Sequence, residues 1–176
     1  MYVIAFTSAD QQNSSSFLSN YARHQNICHM IGYEPKCKKD CQGKVIAFHA
    51  ILSTNLNNVP KGTIIKFGKV EFNDGNGYYP STGKFTAPVD GIYSFLWTYH
   101  IKKGSSVYLC GFVNGKLRAY TGTHLNATPW QNKSAHFVAK LKRGDQFWVE
   151  TYHHSAAFIH KSFTYLLDTK LMDVKV

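Results

Sequence analysis

The sequence predicts an all-β sandwich or jelly roll, about ten short antiparallel strands spanning residues 44–176. Three observations carry this. From Lys44 onward, apolar residues alternate with polar ones in short runs. Gly, Asn and Pro separate those runs at regular intervals. No long amphipathic stretch or internal repeat competes with them. Residues 1–43 have a different texture: "SADQQNSSSFLSN" is polar and Ser-rich, without a steady period. They are read as a Cys-containing tail, partly irregular, with one short helix around Phe17–Ile27. At 176 residues the chain is one domain with that tail.

The strands follow in order. "KVIAFHAIL" (44–52) is the first, and the turn-rich "STNLNNVPKG" follows it. "TIIKFGKVEFN" (63–73) is next, then the loop "DGNGYYPSTG" and the short "KFTAP". "GIYSFLWTYHI" (91–101) alternates cleanly, with Tyr93, Phe95, Trp97, Tyr99 and Ile101 on one face. Ile92, Ser94, Leu96, Thr98 and His100 form the other face. Both faces are substantial, as in a sheet covered on both sides or used at a subunit contact. "SVYLCGFV-NG-KLRAY" (106–120) is a hairpin whose Asn114-Gly115 supplies two positive-φ positions. "HFVAKL" (136–141) and "QFWVETY" (146–152) flank the tight turn "KRGD". "SFTYLLDTKL" (162–171) closes the domain.

Composition bounds the function. Hydrophobic residues make up 44%, enough for a core, which excludes wholesale disorder. No apolar run approaches the ~18 residues of a membrane helix. A Gly-X-Y period is absent, so this chain has no collagen stalk. The formal net charge is +10, and most of the excess lies beyond residue 44. Such a body attracts anions, among them sulfated or phosphorylated glycans and acidic surfaces. The N-terminal "MYVIAFTSA" has a short apolar patch and a small-residue end, but no positive start, so it is not a convincing signal peptide. Cys28, Cys37 and Cys41 crowd a basic, loop-like stretch at spacings that fit no zinc motif. Disulfides are the alternative in an oxidising compartment, and the pairing stays open. Cys110 shares a side with Tyr108 and Phe112, and is read as a buried free thiol.

A ladder of residues then points to a family. Phe67 is followed by Asn73 after five residues, Tyr78 after four, Phe85 after six and Gly91 after five. Tyr93, Phe95 and Trp97 complete it at alternate positions. This pattern resembles the C1q-like globular domain, a relative of the tumour-necrosis-factor jelly roll. Trp97 departs, standing where the family has Phe or Tyr. "VIAFHAILSTN", "TGKFTAPVDGIYSF", "VNGK" and "LKRGDQFWVE" also resemble its strands and turns. In the final strand, 163–167 keeps the apolar ends but lacks the family's Gly. The likeness covers about 44–176. It implies a homotrimer and a binding module rather than an enzyme. Members without stalks are similar in being secreted pattern-recognition proteins, lectin-like ones of invertebrates such as molluscs especially. Others are signalling ligands of cell-surface receptors. Fold does not choose between them.

Strand reversal narrows the site. Alternate connections of antiparallel strands lie at the same end, so the loops after 101, at 121–134 and at 153–161 share one pole. His100, Lys102, Lys103, His124, Trp130, Lys133, His153, His154, His160 and Lys161 are expected to gather there. The Asn-Gly and KRGD turns, and the chain end after 171, belong to the other pole. An aromatic can stack on a pyranose, and Lys and His bond phosphate, sulfate or carboxylate. The implied ligands are microbial surface glycans or lipopolysaccharide-type anions, bound multivalently by a trimer.

Other chemistries are weaker. His153, His154 and His160 could ligate zinc or copper, although neighbours on a strand face opposite ways. Calcium requires carboxylates, and "NDGNG" (73–77) lacks the closing Glu, so it is read as a turn. No cofactor is required, with a divalent metal, calcium or zinc, as the alternative. "RGD" at 143–145 is read as a structural turn. Sequons stand at Asn13, Asn126 and Asn132. No G-x-S-x-G, H-E-x-x-H or phosphate-loop motif is present, and carboxylates are scattered. Nucleic acid is not expected, because basic and aromatic residues sit on different strands; membrane insertion is not expected either.

Overall fold

The computed structural model describes Arg23 and residues 45–102, 105–123 and 130–172. The helix expected near 17–27, Cys28, Cys37 and Cys41 therefore lie outside the described residues, Arg23 excepted. Contacts divide the chain into Met1–Gly43 and Lys44–Val176, and the fold described is that of the second unit.

Twelve strands follow one another: β1 (Ala47–Ile51), β2 (Leu56–Val59), β3 (Lys69–Asp74), β4 (Tyr78–Tyr79), β5 (Lys84–Thr86) and β6 (Gly91–Lys102), then β7 (Val107–Val113), β8 (Lys116–Ala119), β9 (Gly122–Thr123), β10 (Trp130–Leu141), β11 (Gln146–Thr151) and β12 (Ala156–Met172). They form two antiparallel sheets. The first runs β10-β6-β12-β1-β3, with β2 paired to β12. The second runs β4-β5-β11-β7-β8, with β9 paired to β7. Neighbours that are distant in sequence make this a jelly roll.

The count exceeds ten because pairing extends strands through segments that read as loops. "STNLNNVPKG" contains β2, which borrows its ladder from the start of β12. "DGNGYYPSTG" contains β4, paired to β5. β10 begins six residues before "HFVAKL", at Trp130 opposite Lys102. Most of 153–161, expected as a loop, is the first part of β12. By contrast, 63–73 shrinks to β3, preceded by an isolated bridge between Ile64 and Glu150. Except for β4, whose partner is the next strand, a distant partner decides, and local propensity does not see it.

The ladder of family positions is the core. Phe67, Phe85, Tyr93, Phe95 and Trp97 are fully buried, and Tyr78 nearly so. Phe48 stacks on Tyr78 at 4.5 Å, and Phe95 on Phe147 at 3.9 Å. Burial demands partners for polar atoms. The Tyr78 hydroxyl donates to the Phe67 carbonyl (3.2 Å) and accepts from its amide (3.1 Å). Burial also pushes the Tyr78 phenol up to about 12. Trp97 Nε1 donates to the Leu109 carbonyl at 3.2 Å. Asn73 bonds both backbone groups of Tyr78, so "NDGNG" is a turn held by its own first residue. Gly91 is required by a close approach: a Cβ there would stand 3.1 Å from the Met172 carbonyl oxygen.

The turns behave as their residues dictate. Asn114 (φ 49°) and Gly115 (φ 79°) both adopt the left-handed region between β7 and β8. Asp145 accepts from Asn114 Nδ2 (2.8 Å) and from the Lys142 amide (2.8 Å). Both oxygens of the RGD carboxylate thus tie two turns together at one pole. Cys110 is buried and free, and burial raises its thiol pKa.

One buried group lacks compensation. Asp168 points inward from β12, opposite Phe48 and Phe95, and is 1% exposed. Neither carboxylate oxygen has a hydrogen-bond partner among the described residues. Burial pushes its pKa up to about 8, against a slight lowering by the Thr169 amide.

Candidate functional site

The end of β6 organises the candidate pole. His100 faces outward between Asn132 on β10 and His160 on β12. Its ring lies flat on Trp130, centroids 4.9 Å apart with 8° between planes. His160 stands edge-on to both, 5.7 Å from each. Phe158 closes the group 6.4 Å from Trp130, with Lys102 Nζ 5.0 Å over its ring. His100 Nδ1 bonds Asn132 Oδ1. Stacked rings beside an ammonium and imidazoles suit a planar or anionic partner.

His153 and His154 belong elsewhere. They follow β11 and pack on the second sheet, among Tyr108, Tyr120 and Tyr152. His153 lies 5.2, 5.5 and 4.8 Å from those three rings. His154 is 5.0 Å from Tyr108, and its Nε2 is 2.6 Å from Ser106 Oγ. Thus the expected cluster divides between two sheets. Connections that share an end of a sandwich still emerge on opposite layers.

Other residues disperse further. Lys133 alternates to the opposite face of β10 from Trp130 and Asn132. Lys161 lines a separate depression with Ile51, Leu52 and Lys69. Lys103, His124 and Asn126 lie outside the described residues, as does Asn13. Among the described residues no group of three or more His, Cys, Asp or Glu could hold a metal ion. His153 and His154 have tyrosine neighbours, whereas His160 packs on Trp130 and His100.

Sequence reasoning missed Tyr120, Tyr152, Phe158 and Phe163. The sequence placed Tyr108 on the side of Cys110 and Phe112, yet only pairing across β7, β8 and β11 brings Tyr120 and Tyr152 beside it. Phe163 takes φ 62° at an irregularity in β12 and is 67% exposed. A bulky residue there is uncommon. The Thr98 hydroxyl donates to its carbonyl.

The two outward faces differ in kind. From the first sheet project Leu96, Phe72, Val138, Phe163, Trp130 and Tyr165, with His49, His100, His136 and His160. Among the described residues, no carboxylate projects outward from β6, β10 or β12. A shallow depression lined by Thr98, Asn132, Lys133, Ser134, Phe163 and Tyr165 indents this face. The second sheet instead presents Tyr and His rings with Lys84, Lys116, Arg118 and Glu150. No helix among the described residues is long and apolar enough to cross a membrane.

Comparison with known proteins agrees with this architecture. A family model described as the C1q domain matches residues 47–167. Complement C1q tumor necrosis factor-related protein 3 of Mus musculus is 32% identical over 133 residues, 74% of this chain and 52% of that protein. Complement C1q tumor necrosis factor-related protein 2 of Homo sapiens is 37% identical over 95 residues, 51% of this chain and 30% of that protein. The chain spans about half the length, or less, of these curated relatives. Among solved structures, the globular domain of zebrafish complement 1qA protein superposes with a TM-score of 0.62 at 14% identity, covering 73% of this chain and 99% of that one. Murine APRIL at pH 5.0 gives 0.59 at 14% identity, covering 73% and 100%.

Proposed function

The chain belongs to the C1q-domain family, and on that premise we propose that it is a secreted, trimeric recognition protein. Its subunits join through the outward face of the first sheet. Its poles bind microbial glycans or lipopolysaccharide-type anions multivalently, and the protein acts by binding, without catalysis.

One observation supports this most: half-exposed Tyr120 meets Tyr108, Tyr152 and the His153 ring on the sheet whose face the assembly leaves open. Positive net charge adds long-range attraction for anions. The assembly rests on the first sheet's outward face, which leaves Phe163, Val138 and Trp130 about half exposed or more in a single chain. Three copies burying that face would remove it from water. Asn132 projects from the same face and bonds His100, so a glycan there would oppose assembly.

The test is light scattering followed by a glycan and bacterial-envelope array, run at ~0.15 M and ~1 M salt, with and without EDTA. A mass of three chains and selective binding that survives high salt are expected. Binding at low salt only would reduce the reading to net charge. Loss with EDTA would bring a divalent metal, calcium or zinc, into the site.

A second reading is a signalling ligand for a cell-surface receptor. It is favoured by the relatives named C1q tumor necrosis factor-related proteins and by the likeness to murine APRIL. It predicts saturable binding to a protein partner, indifferent to competing sugars.

A further inference from the structure

Two ring clusters compete for a glycan, and assembly treats them differently. Trp130 is stacked on His100 and shares its outward face with Leu96, Val138 and Phe163. The trimer proposed above covers that face. The Tyr–His cluster lies on the other sheet, turned away from it.

That second cluster is built rather than incidental. His153 adopts φ 61°, and the His154 amide bonds the Tyr152 carbonyl at 2.7 Å. This is a tight three-residue turn in a sparsely populated conformation. It sets the His153 ring edge-on to Tyr108 (84°) and Tyr120 (76°). Ser106 anchors His154 from the neighbouring connection. Tyr120 remains 50% exposed, so its ring is available to a ligand. The aromatic surface continues through Phe112, 6.0 Å from both Tyr152 and Trp148. Lys116 and Arg118 are exposed on β8, the strand that leads into Tyr120, against the single carboxylate of β11, Glu150, which accepts from Trp148 Nε1 at 2.9 Å.

We propose that the surface formed by Tyr108, Tyr120, Tyr152, His153 and His154 is the glycan contact of the assembled protein, and that it takes a pyranose bearing an acidic group. The apolar C–H face of the sugar packs on the Tyr120 ring. Its hydroxyls meet the Tyr120 and Tyr152 phenols and the two imidazoles. The acidic group is drawn by Arg118. The assignment rests on the recognition reading and names its site.

Tetragalacturonate and its methyl ester share ring and hydroxyls and differ in charge, which makes them suitable probes. Binding of both to the full chain is measured by titration, with oligomeric mass recorded for each variant. Tyr120→Ala is expected to weaken tetragalacturonate at least tenfold with the mass unchanged, and Trp130→Ala to leave it within about twofold. The ester is expected to bind at least fivefold more weakly than the acid. Loss with Trp130→Ala and retention with Tyr120→Ala would overturn the assignment while leaving the recognition reading intact. Equal affinity for acid and ester would overturn the acidic class. If wild-type protein ignores tetragalacturonate, the acidic-pyranose assignment fails; if the glycan and envelope array is also blank, the recognition reading fails with it.

Discussion

The two outward faces of the sandwich are made from the same residue types and end with different character. Both are rich in rings and histidine. On the first sheet the rings accompany aliphatic side chains, neutral polar groups and the lysines Lys102 and Lys140, and among the described residues no carboxylate projects from its three longest strands. On the second, tyrosines pack on histidines, Lys84 lies over Trp148, Glu150 accepts from Trp148, and β8 exposes Lys116 and Arg118. A surface whose lysines, Lys102 and Lys140, stand at the strand ends and whose middle carries no charge is less costly to desolvate, and suits a permanent contact. A surface of phenols, imidazoles and flanking charge stays wet and suits a soluble partner. The difference teaches that aromatic content alone does not mark a binding site; what surrounds the rings decides.

Breaking the first face has the largest expected effect. Leu96→Glu places a carboxylate at its centre, and in a trimer three such charges would be desolvated together. Light scattering is expected to read one chain's mass instead of three. Leu117→Glu, on the second face, should leave the mass unchanged. Equal behaviour of the two variants would erase the proposed distinction.

The asymmetry continues inside. Asp168 lies under the first sheet without a partner, its folded pKa about 8 against an ordinary 3.8. The folded chain therefore holds a proton that the unfolded chain releases across pH ~4–8. This contribution to stability is complete below pH ~4 and lost as pH rises to 8. Asp168→Asn is expected to match the wild type at pH 4 and to exceed it by on the order of 5 kcal/mol at pH 8 in urea melts. A constant difference between the variants across pH would show that Asp168 is not the group responsible.

Under the second sheet the corresponding polar group is satisfied. Tyr78→Phe orphans the amide and carbonyl of Phe67, and a loss of about 1–3 kcal/mol is expected from the same melts. A neutral result would mean that water replaces the phenol. Smallest is Lys84→Ala, which removes an ammonium 4.4 Å from the Trp148 ring. A loss of about 0.5–1 kcal/mol is expected, and the effect should survive ~1 M salt better than that of the exposed Lys69–Glu71 pair.

Much of this molecule is legible without a structure. The alternation in 91–101 separates buried Tyr93, Phe95, Trp97 and Tyr99 from half-buried Ile92, Leu96 and Thr98, as found. Asn114-Gly115 and the KRGD segment are turns because their residues accept left-handed backbone or bond their own amides. β2 and the early part of β12 were not legible, since each exists only by hydrogen bonding to a distant strand, and β4 was not because its two residues pair only within a short hairpin with β5.

The candidate pole divides in the same way. Sequence and strand reversal correctly brought His100, Lys102, Trp130 and His160 to one end. They could not reveal that His153 and His154 emerge on the other layer, or that Tyr108, Tyr120 and Tyr152 meet them there.

The sequence by itself determined the fold class, the aromatic core and the turns, because periodicity and backbone preference are local properties. Only the tertiary structure decided which rings share a face, which face keeps carboxylates off its longest strands and which carboxylate is buried without a partner. Those follow from register between strands far apart in the chain, and a shift of one residue would turn each side chain to the other side.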